Sequence, residues 1–242
     1  MNHRETVLVT GAASGIGKAT AEKYLAEGYN VIGLDLTPIN TSFKIITCDI
    51  SDEMQIRSVM AYISEHYDNI SYLINCAGIF FHEHRYDLEH MEIKEWDQTL
   101  RVNLTGTMMM IKHTIPLLYA ASGDRAIVNV SSDQAEHPRE RNSAYAVSKS
   151  GINCLTKVAA CELLKKKIRV NAVEAASVET NFIRSLAKSD ERMRSIYQKE
   201  NDKMPLGLIP ASDIANICYF LGSPKSTHIT GQTILIDSGL YL

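Results

Sequence analysis

Seven short runs of apolar and β-branched residues punctuate the chain, at Thr6 to Thr10, Asn30 to Leu34, Lys44 to Cys48, Tyr72 to Asn75, Ala126 to Ser131, Ile168 to Val173 and Thr233 to Ile236. Most are nearly continuous in hydrophobicity rather than alternating, the mark of strands covered on both faces. Between them apolar positions recur at helical spacing. Ile56, Val59, Met60 and Ile63 share one face of a helix predicted over 53–67, and like patterns predict helices over 15–27, 93–121 and 144–165, with two more after Asn181. Strand alternating with helix predicts an α/β fold, a parallel sheet with helices on both sides. The stretch from Asn181 to Gly207 breaks this rhythm, being polar and helix-prone. Its place before the last strand predicts a substrate lid at about 181–207.

Composition narrows the picture. No Pro-, Gly- or Ser-rich linker divides the 242 residues, of which 45% are hydrophobic and 22% charged. One folded domain over 1–242 is expected. Lys+Arg 25 against Asp+Glu 28 leaves a net charge of −3, with no surplus of cations to neutralise nucleic acid or hold an anionic membrane. Neither is an expected partner. The five cysteines, at 48, 76, 154, 161 and 218, are odd in number and form no CxxC pair. They are expected to be core thiols in a reducing compartment, outside any disulfide framework or zinc site. A strand-like run begins at Thr6, and no 18-residue apolar stretch occurs, so a cytoplasmic protein is expected, neither exported nor membrane-spanning. His82, Glu83 and His84, with His90 nearby, are expected to be solvent-facing or on a substrate rim, and no metal is expected. Met108, Met109 and Met110 are expected to fill core or interface.

The first candidate chemistry follows the first strand directly. In Gly11-Ala12-Ala13-Ser14-Gly15-Ile16-Gly17 the first glycine permits a tight turn and the later ones let an anion approach the backbone. The helix that follows aims its free N–H groups and positive end at that anion. A diphosphate site is expected. A nucleotide-triphosphate loop would need glycine where Ala12 stands and Ser or Thr where Ala19 stands, so phosphoryl transfer is disfavoured. Asp35 closes the second strand, where a carboxylate accepts from both hydroxyls of an adenosine ribose and repels a 2′-phosphate; NAD is favoured over NADP. Asp49, beside Ile50 after the third strand, is open to two readings, an adenine contact or a helix cap.

Tyr145 and Lys149 stand at i and i+4 on a predicted helix, stacked on one face. A fixed positive charge favours phenolate and brings a phenol of pKa about 10 closer to use as a proton donor and acceptor. Shortly before the tyrosine, Ser131 and Ser132 end a strand whose carboxyl end is where ligands sit in an open parallel sheet, and either could face a ligand there.

These residues resemble the single-domain type of the short-chain dehydrogenase/reductase family. The likeness rests on Thr10-Gly11 with Gly15-Ile16-Gly17, on Asn75-Cys76-Ala77-Gly78, on Asn103, and on Ser132, Tyr145 and Lys149, in that order along nearly the whole chain. The resemblance implies one Rossmann-type doubly wound domain with a seven-stranded sheet. It makes Tyr145 the general acid/base, has Lys149 lower its pKa and hold the nicotinamide ribose, has Ser132 orient the substrate oxygen, and gives Asn103 a part in a water-linked proton relay. It assigns cofactor contacts to Gly11, Ser14, Gly15, Ile16, Gly17, Asp49, Ile50, Asn75, Ala77, Gly78, Val178 and Thr180, and implies a homotetramer or dimer. The expected reaction is hydride transfer between NAD(H) and a small, polar alcohol or ketone. The alternatives are an NADP-linked carbonyl reductase and a catalytically weak dinucleotide-sensing or scaffold protein.

The sequence departs from the family pattern where Ala175-Ala176 replace Pro-Gly and where Ser238 stands for a second glycine. Ala176 is expected to adopt a conformation an alanine tolerates.

Overall fold

A computed structural model describes residues 5–67, 69–81, 86–180 and 191–242. The strands are β1 (Thr6–Thr10), β2 (Asn30–Asp35), β3 (Lys44–Thr47), β4 (Tyr72–Asn75), β5 (Ala126–Ser132), β6 (Arg169–Ala175) and β9 (Thr233–Ile236), with a separate pair β7 (Val178–Glu179) and β8 (Ile209–Pro210). They form a seven-stranded sheet in the order β3-β2-β1-β4-β5-β6-β9, parallel at every pairing. The order runs outward from β1 in both directions. Such a reversal opens a crevice at the carboxyl ends of the two central strands, β1 and β4, where α/β folds bind ligands.

The apolar runs of β1, β2, β4, β5 and β6 are buried on both faces, as their pattern predicts, whereas the edge strands β3 and β9 are no more than half-buried. Leu8, Ile32 and Leu34 point to one side, packed with Ile56, Val59, Met60 and Ile63 of α2 (Glu53–His66), Met109, Met110 and Leu118 of α4 (Thr107–Ala120), and Leu163 of α5 (Ser143–Leu163). Val7, Val9 and Val31 point to the other. There they meet Ala21 and Tyr24 of α1 (Gly15–Ala26) and Ile214, Cys218 and Leu221 of α7 (Ala211–Leu221).

Two helical expectations change. The single helix expected over 93–121 is α3 (Ile93–Leu100), a wide π turn over Arg101–Gly106, and α4. Gly106 explains the close packing there, because a Cβ on it would lie 3.0 Å from Ile50. The helix expected over 144–165 ends at Leu163 and tightens through Leu164–Lys166 before Lys167 turns left-handed at φ 56°. Of the predicted lid, 181–190 lie outside the described residues, as do His82, Glu83 and His84; α6 (Glu191–Lys203) and a turn closed by Gly207 N–H to Met204 O complete it.

The cysteines divide. Cys48 and Cys218 are buried and Cys76 is half-buried, but Cys154 and Cys161 are exposed on the outer face of α5, so they are not core thiols. Met109 and Met110 are buried and Met108 is 39% exposed. Among the described residues no helix is long and apolar enough to cross a membrane.

Arg169 ties the amino-terminal end of β6 to its surroundings. Its guanidinium bonds Asp124 at 2.6 Å, Ser226 Oγ at 2.7 Å, and the carbonyls of Leu221 and Ser223, while only 6% of the residue is exposed.

Candidate active site

The crevice is built from glycine outward. Gly11 turns the chain at φ +67°, and a Cβ there would lie 2.9 Å from Ala77 Cα; a Cβ on Gly17 would collide with the Gly11 carbonyl. Only glycine allows the loop to fold this tightly over the end of β4. Thr10 Oγ1 accepts the N–H groups of Cys76 and Ala77, both at 3.1 Å, which locks β4 to β1 at the mouth. The result is a cleft of about 440 Å³. The free N–H groups of the first turn of α1 lie along it, from Ser14 and Gly15 to Ile16 and Gly17. Asp35, Asp49, Ile50, Gly11, Ala77, Gly78 and Thr180 also line it, Thr180 close to Gly15. A cleft of this volume lined by a helix start fits a dinucleotide.

Asp35 sits at the β2 end of this cleft. Its Oδ2 accepts Ala13 N–H at 2.9 Å and its Oδ1 accepts Thr37 N–H at 3.0 Å, so the carboxylate is fixed by the glycine loop itself. Asp49 Oδ1 accepts Ser51 N–H at 2.8 Å, while Asp52 caps α2 by accepting from Met54 N–H at 2.9 Å. Capping belongs to Asp52, and Asp49 faces the cleft.

Asn75 differs. Its side chain is buried behind the cleft, donating to Asn129 Oδ1 at 2.9 Å, and Asn129 in turn donates to Thr156 at 2.9 Å. This ladder pins β4, β5 and α5 together. Val178, in β7, packs against the apolar cluster on the α1 side of the sheet.

Ser132 ends β5, and Tyr145 and Lys149 stand in the first two turns of α5. The three meet at the carboxyl end of the sheet. Burial is the largest influence on the Tyr145 phenol and pushes it up to about 12, and the Ser132 hydroxyl bonded to it acts in the opposite direction, being free to turn its hydrogen toward a phenolate. The Tyr145 ring lies 4.7 Å from that of Phe80. Lys149 Nζ donates to Val130 O at 2.8 Å and sits 5.6 Å from the centre of the Tyr145 ring, and burial pulls its ammonium down to about 8. In the chain alone burial dominates the phenol, and what opposes it comes from the Ser132 hydroxyl and the Arg139 guanidinium rather than from Lys149.

Asn103 lies in the π turn, fully buried. Its Oδ1 accepts Ile79 N–H at 2.8 Å, and its Nδ2 donates to Ile79 O at 3.0 Å and to Ser148 Oγ at 3.1 Å. The side chain braces the segment after β4 against α5.

Sequence reading missed Asp133, which bonds Ser132, Arg139 and Tyr241. A carboxylate directly after Ser132, at a buried strand end, was the available signal. At the departures from the family pattern the two positions behave differently. Among the described non-glycine residues, left-handed backbone occurs at Arg141, Lys167 and Ser238, so Ala176 has the alanine-compatible conformation expected of it, its N–H donating to Ile236 O at 3.0 Å. Ser238 keeps the glycine-like φ of 53°.

A family model described as enoyl-(acyl carrier protein) reductase matches residues 11–241. The chain is 33% identical to 3-oxoacyl-(acyl-carrier-protein) reductase FabG of Thermotoga maritima, over 97% of both chains. It is also 33% identical to 2,3-dihydro-2,3-dihydroxybenzoate dehydrogenase of Escherichia coli, over 97% of this chain and 96% of that one. Among solved structures, ligand-free aldohexose dehydrogenase of Thermoplasma acidophilum superposes with a TM-score of 0.91 at 32% identity, covering 98% of this chain and 94% of the other.

Proposed function

Since the chain belongs to the short-chain dehydrogenase/reductase family of oxidoreductases, we propose that it transfers hydride between NAD(H) and a small, polar alcohol or ketone, with Tyr145 as general acid/base. The observation that carries the NAD assignment is the Asp35 carboxylate, held at the end of the cleft by the Ala13 N–H. It would accept from both ribose hydroxyls and would repel a 2′-phosphate. Gly11, Ser14, Gly15, Ile16 and Gly17, with the start of α1, would hold the pyrophosphate, and Asp49 and Ile50 the adenine. Ala77, Gly78, Val178 and Thr180 would border the nicotinamide half, with Asn75 keeping the end of β4 in place.

When bound, the nicotinamide accepts or supplies the hydride. The chain's own part is proton transfer and placement. Tyr145 gives its proton to a carbonyl oxygen as the phenol, the form burial favours in the chain alone, or takes one from an alcohol as the phenolate. Ser132 holds that oxygen, Lys149 supports the ribose and the phenol, and Asn103 keeps the proton path on the α5 side in register. The chain forms one cofactor-binding and catalytic domain, with 181–207 as its lid. Exposed Val147, Cys154, Val158 and Cys161 recur along α5 at alternating spacings of seven, four and three, a stripe suited to a second copy in a dimer or tetramer in the cytoplasm.

Fluorescence titration should show NADH binding at least tenfold more tightly than NADPH, a difference of about 1.4 kcal/mol. Equal dissociation constants defeat the NAD assignment. A panel of alcohols scored by NADH formation identifies the substrate class. Tyr145→Phe should abolish that turnover and leave NADH binding nearly intact; retained activity would place the chemistry elsewhere.

A further inference from the structure

Glu174 stands in β6, paired in register with Ser131 of β5 on one side and with Leu235 of β9 on the other. It is an acidic residue inside the sheet and only 1% exposed. Side chains alternate along a strand, and Val170 lies in the apolar layer that includes Leu163 of α5, while Val173 and Ala175 lie on the opposite face. Glu174 therefore points toward α5. There it meets Asn153, whose Nδ2 donates to Glu174 Oε1. Asn153 is itself more than nine-tenths buried, and its Oδ1 has no hydrogen-bond partner among the described residues.

The two side chains complement each other only when a proton is present. An ionised carboxyl has acceptors alone, so it would face one amide N–H and leave the Asn153 oxygen, another acceptor, unmet. A buried charge met by an amide and a buried acceptor with no donor are both costly. A carboxylic acid has one O–H to give. With it, Asn153 Nδ2 donates to one Glu174 oxygen, the other Glu174 oxygen donates to Asn153 Oδ1, and each group finds its partner. The surrounding charges favour this form. Burial most of all, then the Glu136 and Asp133 carboxylates from the turn after β5, push the Glu174 carboxyl up against the Asn153 bond and His137 of the same turn; Asp133 is itself paired with Arg139.

The pair lies where it bears on the site. Asn153 follows Lys149 by four residues and Tyr145 by eight, on one face of α5. Beside Glu174 in the sheet, Ser131 Oγ donates to the Lys149 carbonyl at 3.1 Å. The sheet thus grips α5 twice, at Lys149 and one turn later.

We propose that Glu174 is held as a neutral carboxylic acid joined to the Asn153 amide by two hydrogen bonds, and that it is a positioning residue, the pair seating on the sheet the turns of α5 that carry Tyr145 and Lys149. The positioning role rests on the reading that Tyr145 and Lys149 do the chemistry.

Glu174→Gln is the neutral mimic, since its NH2 donates to Asn153 Oδ1 as the acid O–H does, whereas Glu174→Leu and Asn153→Leu abolish the pair. In the first arm, the infrared spectrum of the full chain at neutral pH is compared with that of Glu174→Gln. The difference should contain the carbonyl stretch of a protonated carboxyl, and that band should move to higher frequency in Asn153→Leu, which identifies it even if Glu174→Gln does not fold. A difference made only of carboxylate bands, or a band that ignores Asn153→Leu, overturns the proposal. Thermal melts give the linked readout. The unfolded glutamate ionises near pH about 4.3 while the folded one keeps its proton, so wild type loses stability as pH rises above that value, and Glu174→Gln does not. The Tm of the variant should gain on wild type between pH about 4 and neutral; a constant difference counts against the neutral acid.

The second arm follows α5. Hydrogen exchange of the amides over 145–153 should quicken in Glu174→Leu and Asn153→Leu, and kcat on the best alcohol of the NAD+ panel should fall by on the order of tenfold to a hundredfold, the cost of a displaced catalytic group. The double leucine variant should be no worse than either single one, and Glu174→Gln should restore both readouts. Leucine variants with wild-type exchange and kcat, or a glutamine variant as impaired as they are, overturn the positioning role. A panel with no substrate refutes the proposed reaction instead, and the infrared and exchange measurements still decide on Glu174.

Discussion

Ser238 turns left-handed at φ 53° directly after Asp237, whose Oδ1 accepts Gly239 N–H at 3.0 Å. A side chain at such a φ costs about 1 kcal/mol relative to glycine, part of which the greater freedom of an unfolded glycine cancels. Ser238→Gly should therefore stabilise by up to about 1 kcal/mol, raising Tm by about 2–4 °C in a chain of this size. Ala176→Gly, at a position with no left-handed φ to relieve, should lower it. Differential scanning calorimetry of the two variants checks both signs. Both residues were legible in the sequence as departures from a family pattern, but their opposite behaviour was not, because φ is set by the bonds around each residue. Ala176 is drawn onto Ile236 and Ser238 is bent by Asp237. Tyr145 and Lys149 were legible for the converse reason, since i and i+4 on one helix fix their relation locally.

Along α5, Lys149 buries an ammonium whose pKa falls to about 8, below the value of about 10.4 expected in the unfolded chain. Between these values the unfolded state holds more protons, so this group makes stability rise with pH from about 8 to 10.4 and costs the fold its full penalty below about 8. The penalty is on the order of 3 kcal/mol. Lys149→Met should raise Tm at neutral pH while abolishing turnover, and its advantage over wild type should shrink at pH about 10; thermal melts at both pH values measure it. The existence of α5 was readable from its apolar period, but its end at Leu163 was not. The π turn between α3 and α4 was not, since it depends on Asn103 reaching Ile79, a contact between segments 24 residues apart.

Across the whole molecule, the seven strands of the main sheet, their direction and the two covered faces followed from continuous apolar runs separated by helices, but the two-residue strands β7 and β8 did not. The exposure of Cys154 and Cys161 did not follow, because thiols on an outer helix face and thiols in a core have the same composition. Arg169 was equally silent, being one cation at a strand start. Its four partners come from the loop before β5, the end of α7 and the turn after it. Removing a buried ion-pair partner typically costs about 3–5 kcal/mol. Arg169→Leu should lower stability by that amount in urea unfolding, with NADH affinity unchanged in the fraction that remains folded, as the staple lies at the opposite end of the sheet from the cleft.

The bond from Ala13 N–H to Asp35 has a consequence for redesign. Converting such a chain to the phosphorylated cofactor begins by deleting the acid at the second strand, yet here the acid also fastens the glycine loop. Asp35→Ala would strand an amide at the cost of about 1–3 kcal/mol if water cannot reach it, loosening the grip on both cofactors at once. Asp35→Asn or Asp35→Ser keeps an acceptor for Ala13 while easing the repulsion. If the proposed NAD preference holds, cofactor exchange in this scaffold is a matter of replacing two roles at one position, and screens that include only alanine or arginine there would underestimate how readily the chain can be switched.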